Sequence, residues 1–142
     1  MVVAIGKVLR KLGFLLIPGA TLATFIVNIA IPSAAGCSAA VGVIFIPIMM
    51  SAGVHPAMAA AAVKSGTYGS MLNPGLVHNG VIAKLAGVGI PEVIATHMPA
   101  TVAGVIVAAV TLTIVAIFMK ENHRYYAEVE FSYTNNSTSD VW

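Results

Sequence analysis

The chain has 142 residues, of which 58% are hydrophobic and 8% are charged, and its formal net charge is +2. Soluble domains carry about 25% charged residues, so this composition excludes a soluble enzyme. The seven Lys and Arg residues form no basic stripe, which argues against nucleic acid as a partner. A bilayer explains the shortage of charge, and we expect a multi-pass protein of the bacterial cytoplasmic (inner) membrane, with membrane lipid as a partner.

The first predicted element is a re-entrant helical hairpin over residues 12–52. Residues 12–31 are apolar and about long enough to cross a bilayer, and small, turn-forming residues follow at 32–38. The second apolar limb, residues 39–50, would reach only about 18 Å as a helix, which is short of the roughly 30 Å hydrocarbon core. This short limb predicts a hairpin whose tip, at residues 32–38, lies inside the protein at membrane depth.

The second predicted element is a discontinuous transmembrane helix over residues 55–85. Pro56 fits the first position of a helix, and an Ala-rich segment follows it. Glycine, proline and polar residues then interrupt the helix at 66–75 before an apolar pattern resumes. Apolar segments interrupted in this way are the best sequence pointer to the binding site of a transporter.

The remaining residues predict a connector at 86–98, a last transmembrane span at 99–119 and a polar flexible tail at 127–142. The span has no charged residue and would be about 31 Å long as a helix. Residues 1–126 therefore predict an all-α membrane protein that forms one repeat of an inverted-repeat transporter. Because transporters place their site between two repeats, we expect the missing N-terminal half or a second protomer as a partner.

The two broken elements also predict a site for a small anion. Helix N-termini near Ser38 and Leu76 would lie at membrane depth, where unpaired N–H groups and the helix dipole favour negative charge. Carbonyl groups near Ile31 and Gly66 would suit a coupling cation. Lys64 adds a positive charge beside the break, and an intramembrane lysine is usually functional. The alternative is a lysine whose amine extends to the membrane interface.

Polar residues in the two loops have two interpretations, since they either contact cargo or satisfy backbone groups that the breaks leave unpaired. His78 either relays a proton or bonds a neighbouring carbonyl, and we expect His97 at the membrane interface. The sequence contains no catalytic triad, phosphate loop or metal-ligand cluster. It therefore predicts no catalytic residue, no metal site and no cofactor beyond a coupling H⁺ or Na⁺.

Two segments resemble a known family of carriers. Residues 28–50 read NIAIPSAAGCSAAVGVIFIPIMM, and residues 55–83 read HPAMAAAAVKSGTYGSMLNPGLVHNGVIA. They resemble the re-entrant hairpin and the discontinuous helix of the ion-transporter superfamily, and most closely the C-terminal portion of the anaerobic C4-dicarboxylate uptake C (DcuC) family. The resemblance implies secondary active transport of succinate, fumarate or malate, by symport or antiport with H⁺ or Na⁺.

The polar pattern and this resemblance together point to one set of candidate substrate-binding residues. These are Asn28, Pro32, Ser33, Gly36, Ser38, Lys64, Thr67, Asn73, Pro74, Gly75, His78 and Asn79. The tip departs from the related sodium–dicarboxylate symporters, which have Ser-Asn-Thr where this chain has Pro-Ser-Ala. Two alternatives stay open: a carrier of the same superfamily for other small carboxylates or amino acids, and a nonfunctional or structural small membrane protein from a truncated gene.

Overall fold

The fold is given by a computed structural model that describes the backbone of residues 2–118 and the side chains of residues 15–118. The predicted tail at 127–142 lies outside the described residues. Within them the chain forms five α-helices and one 3-10 helix, and no strand. In chain order the elements are α1 (Val2–Ala30), α2 (Ala34–Ser51), α3 (Pro56–Gly66), the 3-10 helix (Thr67–Leu72), α4 (Val77–Ala86) and α5 (Ile90–Phe118).

The chain is an all-α membrane protein. Both α2 and α5 are long and apolar enough to cross a bilayer, and large apolar side chains are exposed along the helices. Leu15 is 74% exposed, Val43 74% and Phe118 83%. Such side chains suit contact with lipid, because hydrocarbon does not penalise apolar surface as water does.

The hairpin is present, but its tip is shorter than predicted. Only residues 31–33 separate α1 from α2, so the residues from Ala34 to Ser38 are helical rather than looped. Ser33 explains the early start, because its backbone is extended and its Oγ accepts a hydrogen bond from Gly36 N at 3.1 Å. Alanine, the best helix former, supplies the first two positions. A serine cap before two alanines therefore starts a helix where small residues alone suggested a loop.

The expected length of the second limb was consequently wrong. Helix α2 has 18 residues, which corresponds to about 27 Å, and it continues through Pro47 to Ser51. It is one of the two described helices that are long enough to cross a membrane. The argument that this limb is too short to cross therefore fails.

The discontinuous helix is interrupted as predicted, but the interruption is partly helical. Helix α3 passes at Gly66 directly into the 3-10 helix, and irregular backbone follows only at residues 73–76, before α4. Most of the predicted connector is also helical, because α5 begins at Ile90 and passes through Pro99. Pro91 lies in the first turn of α5, where a proline needs no amide partner.

Helix α1 packs against α2, α3, the 3-10 helix and α5. Two glycines, Gly66 and Gly69, allow the interrupted helix to lie very close to α1. A Cβ atom on Gly66 would lie 2.5 Å from both Thr21 O and Thr24 Cβ, and a Cβ atom on Gly69 would overlap the Phe25 carbonyl oxygen. The break can therefore lie directly on the backbone of α1 only because these two positions carry no side chain.

Candidate substrate-binding site

Asn28 joins the hairpin to the interrupted helix. Its side chain is fully buried at the end of α1. The Oδ1 atom accepts a hydrogen bond from Ser70 N at 2.6 Å, while Nδ2 donates to Ile31 O at 3.0 Å and to Ser33 O at 3.5 Å. Both donors of this amide are therefore used inside the chain. Asn28 satisfies backbone at both breaks, which is the second of the two interpretations of the loop residues.

Asn73 makes a second connection between the same two loops. Its Nδ2 donates to Ile29 O at 2.7 Å, and its Oδ1 accepts from Gly75 N at 2.7 Å. Gly75 in turn lies beside the tip, since a Cβ atom built on it would be 3.9 Å from Pro32 Cβ. These contacts place the hairpin tip next to the break, as a site built from both elements requires.

Asn79, on α4, binds the backbone where the 3-10 helix ends and the irregular segment begins. This side chain is 1% exposed, and its Nδ2 donates to Met71 O at 2.9 Å and to Asn73 O at 3.1 Å. Its Oδ1 lies 3.3 Å from His97 Nε2 on α5. His97 therefore contacts a predicted site residue, a contact that the sequence analysis did not predict. No local pattern indicates this contact, because it joins two helices.

The two helix N-termini differ in how their amide groups are satisfied. At α2, Ser33 supplies both the Oγ that caps Gly36 N and the carbonyl that accepts from Cys37 N at 2.9 Å. At α4 the preceding residue, Leu76, makes no side-chain cap. The α2 N-terminus thus lies earlier than the predicted Ser38, and the α4 N-terminus agrees closely with the predicted position.

The carbonyl groups proposed for a coupling cation are largely used by neighbouring side chains. Ile31 O accepts from Asn28 Nδ2, Lys64 O accepts from Thr67 Oγ1 at 2.6 Å, and Thr67 O accepts from Ser70 Oγ at 3.1 Å. Among the described residues, no cluster of three or more His, Cys, Asp or Glu side chains could hold a metal ion.

A cavity of about 510 Å³ lies where the break meets the start of α2. Lys64 is exposed on the last turn of α3 and, among the residues that the structure describes, is the one charged side chain that lines the cavity. Ala34, the first residue of α2, lines the same cavity. A lysine amine and a helix N-terminus therefore border one space, and both favour an anion. The described residues that line it are Ala34, Lys64, Ser65, Thr67, Tyr68, Ser70 and Met71.

The structure divides the predicted site residues into three groups. Lys64 and Thr67 line this cavity. Three asparagines bind backbone groups of the breaks: Asn28, Asn73 and Asn79. The others do not line the cavity. Ser38 in α2 is partly exposed. The rest are exposed on the hairpin or around the start of α4: Pro32, Ser33, Gly36, Pro74, Gly75 and His78.

Five of the residues that line the cavity were not among the predicted site residues: Ala34, Ser65, Tyr68, Ser70 and Met71. Tyr68 follows Lys64 by four residues, so helical spacing could have placed the two side chains on one face. Tyr68 is 57% exposed, which leaves its phenol accessible from the cavity. The Ser38 Oγ atom is buried and has no hydrogen-bond partner among the described residues.

Comparison with known proteins finds one informative relative. Over 53 residues the chain is 64% identical to a Haemophilus influenzae protein named "Putative uncharacterized transporter". The matched stretch covers 37% of this chain and 37% of the relative. No protein-family model matches the sequence, and no solved structure is similar to it.

Proposed function

We propose that the chain is part of a secondary active transporter for small carboxylates, with C4-dicarboxylates such as succinate, fumarate and malate as the first candidates. Transport in general is supported by the similarity to the named transporter of Haemophilus influenzae and by the interrupted helices of a membrane protein. Anionic cargo is supported by one observation above all: Lys64 and the first residue of α2 line the same cavity.

The charge of the site favours a carboxylate over a neutral or cationic cargo. Lys64 contributes one positive charge, and the α2 N-terminus contributes roughly half a charge. Ser65 and Tyr68 add hydroxyl groups to the same lining, whereas the hydroxyl hydrogens of Thr67 and Ser70 are used by backbone carbonyls. Hydroxyl donors around a cationic centre suit carboxylate oxygens, which only accept hydrogen bonds when ionised.

The proposed carrier needs a second set of elements. Transporters with discontinuous helices bind cargo between two repeats, so we propose that an N-terminal half or a second protomer covers the Lys64 cavity. We propose H⁺ or Na⁺ as the coupling ion and the bacterial cytoplasmic membrane as the location.

The test is uptake of labelled succinate by cells that express the chain together with its neighbouring reading frames. We expect unlabelled fumarate and malate to compete strongly, because they present the same two carboxylates, and a monocarboxylate to compete weakly. Competition by amino acids alone would assign the carrier a different cargo. Uptake no greater than in cells carrying an empty vector would contradict the proposed function.

A further inference from the structure

His97 on α5 forms a hydrogen-bonded group that is separate from the Lys64 cavity. The ring is half-buried. Its Nε2 lies 3.3 Å from Asn79 Oδ1 on α4, and its Nδ1 lies 3.3 Å from Thr101 Oγ1 one turn further along α5. The Thr101 hydroxyl also lies 3.1 Å from the His97 carbonyl oxygen, to which it donates. These contacts determine which of the two ring nitrogens must carry a hydrogen atom.

The first proton is fixed by Asn79. Its Nδ2 donates to two carbonyl oxygens, those of Met71 and Asn73. A carbonyl oxygen only accepts, so the amide must be oriented with Nδ2 toward them and Oδ1 toward His97. Because Oδ1 also only accepts, His97 Nε2 must carry a hydrogen atom to complete the contact.

The second proton is fixed by Thr101. Its hydroxyl has one hydrogen atom, and the bond to the His97 carbonyl uses it. While that bond is made, Nδ1 completes its contact with Thr101 Oγ1 only as a donor. All three hydrogen bonds therefore form together when both ring nitrogens are protonated. The neutral ring with hydrogen on Nε2 keeps the Asn79 bond but requires the Thr101 hydroxyl to turn from the carbonyl to Nδ1.

A cavity borders this ring on one side. Its volume is about 320 Å³, and it is lined by His97, Thr96 and the exposed Glu92, together with apolar residues of α4, of α5 and of the turn between them. Within residues 15–118, Glu92 is the one other titratable side chain that lines it. Other titratable groups lie on the elements that pack against α5. Lys64 and Tyr68 line the other cavity, and His78 and Lys84 are exposed. Residues 15–30 of α1 contain no titratable group.

The His97 group is also connected to the interrupted helix. Asn79 Nδ2 donates hydrogen bonds to the carbonyls of Met71 and Asn73, and Asn73 Nδ2 donates one to Ile29 O at the end of α1. We propose that His97 is a proton-binding residue, and that its protonation couples proton movement to the loop beside the cargo site. The second part rests on the proposed function, whereas the proton site itself does not.

The proton site is tested by NMR of the full chain in lipid nanodiscs, with ¹⁵N-labelled histidine. The His97 signals are assigned by their loss in His97→Gln. Histidine is the side chain that ordinarily changes charge between about pH 5 and 8, so the titration covers that range. We expect both ring nitrogens to be protonated at the acidic end and only Nε2 at the alkaline end. A ring that keeps one protonation state throughout, or a neutral form protonated at Nδ1, would overturn the proposal.

The coupling is tested in the cells that take up succinate. Glutamine at 97 can still donate to Asn79 Oδ1 but does not titrate, so it separates the proton from the packing. We expect His97→Gln to lose about tenfold in uptake driven by an inward proton gradient and to retain exchange of internal for external succinate. Lys84→Gln, an exposed change on α4, should retain both. Gradient-driven uptake that survives in His97→Gln would refute the coupling. Absence of all uptake in the unmodified protein would refute the proposed function, and the ring titration would then decide the proton site alone.

Discussion

Lys64→Met is the sharpest test of how the site binds an anion, since it keeps the length and apolar packing of the side chain and removes its charge. The α4 N-terminus does not line the cavity, so the positive charge there comes from Lys64 and the α2 N-terminus. With one unit from the lysine and roughly half a unit from the helix, Lys64 supplies about two thirds of the total. Removing it should weaken dicarboxylates most, because they carry two charges.

The expected loss of affinity in Lys64→Met depends on how exposed the lysine side chain is. A hydrogen bond to a charged group contributes about 1.5–3 kcal/mol, and solvent screening of the exposed Lys64 places the loss near the lower end. We expect apparent succinate affinity to fall about tenfold or more, which corresponds to about 1.4 kcal/mol. A monocarboxylate should lose less, and Lys64→Arg should retain part of the binding because charge survives while geometry changes.

The assay is competition of labelled succinate uptake over a range of substrate concentrations. Lys84→Met is the matched control, because Lys84 is an exposed lysine on the neighbouring helix α4 and does not line the cavity. It should leave the apparent affinity unchanged. If Lys64→Met transported dicarboxylates with unaltered affinity, the lysine would be an interfacial anchor and the anion argument would depend on the α2 N-terminus alone.

Three further predictions concern stability and assembly. Asn28→Ala should lower the free energy of unfolding, measured in mixed detergent micelles, by about 2 kcal/mol or more, because Ser70 N–H and Ile31 O lose a buried partner; a loss below about 0.5 kcal/mol would show that these groups find other partners. Gly69→Ala should destabilise strongly, since its Cβ would overlap α1, whereas Gly104→Ala should be near neutral in its open surroundings; equal effects would refute the close approach. The chain reconstituted alone in liposomes should show no succinate flux above empty vesicles, and robust flux would indicate that copies of the chain complete the site.

The sequence predicted the helices and the two interruptions because apolar runs, glycines and prolines act locally. It misplaced the start of α2, because a capping serine and two alanines favour a helix more strongly than the small-residue pattern favours a loop. It also placed a connector where α5 already runs, since Pro91 in the first turn starts a helix rather than preventing one.

The partners of the polar residues could not be predicted in the same way. The Asn28 side chain bonds the backbone of Ser70, 42 residues away, and no local pattern specifies such a pair. Most of the lining of the Lys64 cavity was missed for a geometric reason. Thr67–Leu72 forms a 3-10 helix, and its repeat of three residues per turn brings Thr67 and Ser70 to one face. A loop, which was the expectation, has no such repeat.

The asparagine contacts also limit how a carrier built on this chain would move. Asn28 and Asn73 bond the end of α1 to the interrupted helix, and Gly69 lies against the α1 backbone. Separating the tip from the break would leave several backbone groups without their hydrogen-bond partners, and each buried group left unpaired costs about 1–3 kcal/mol. Alternating access would therefore occur by movement of the tip and the break together against other helices. In such a motion the Lys64 cavity would keep its own lining, and only the surface that covers it would change.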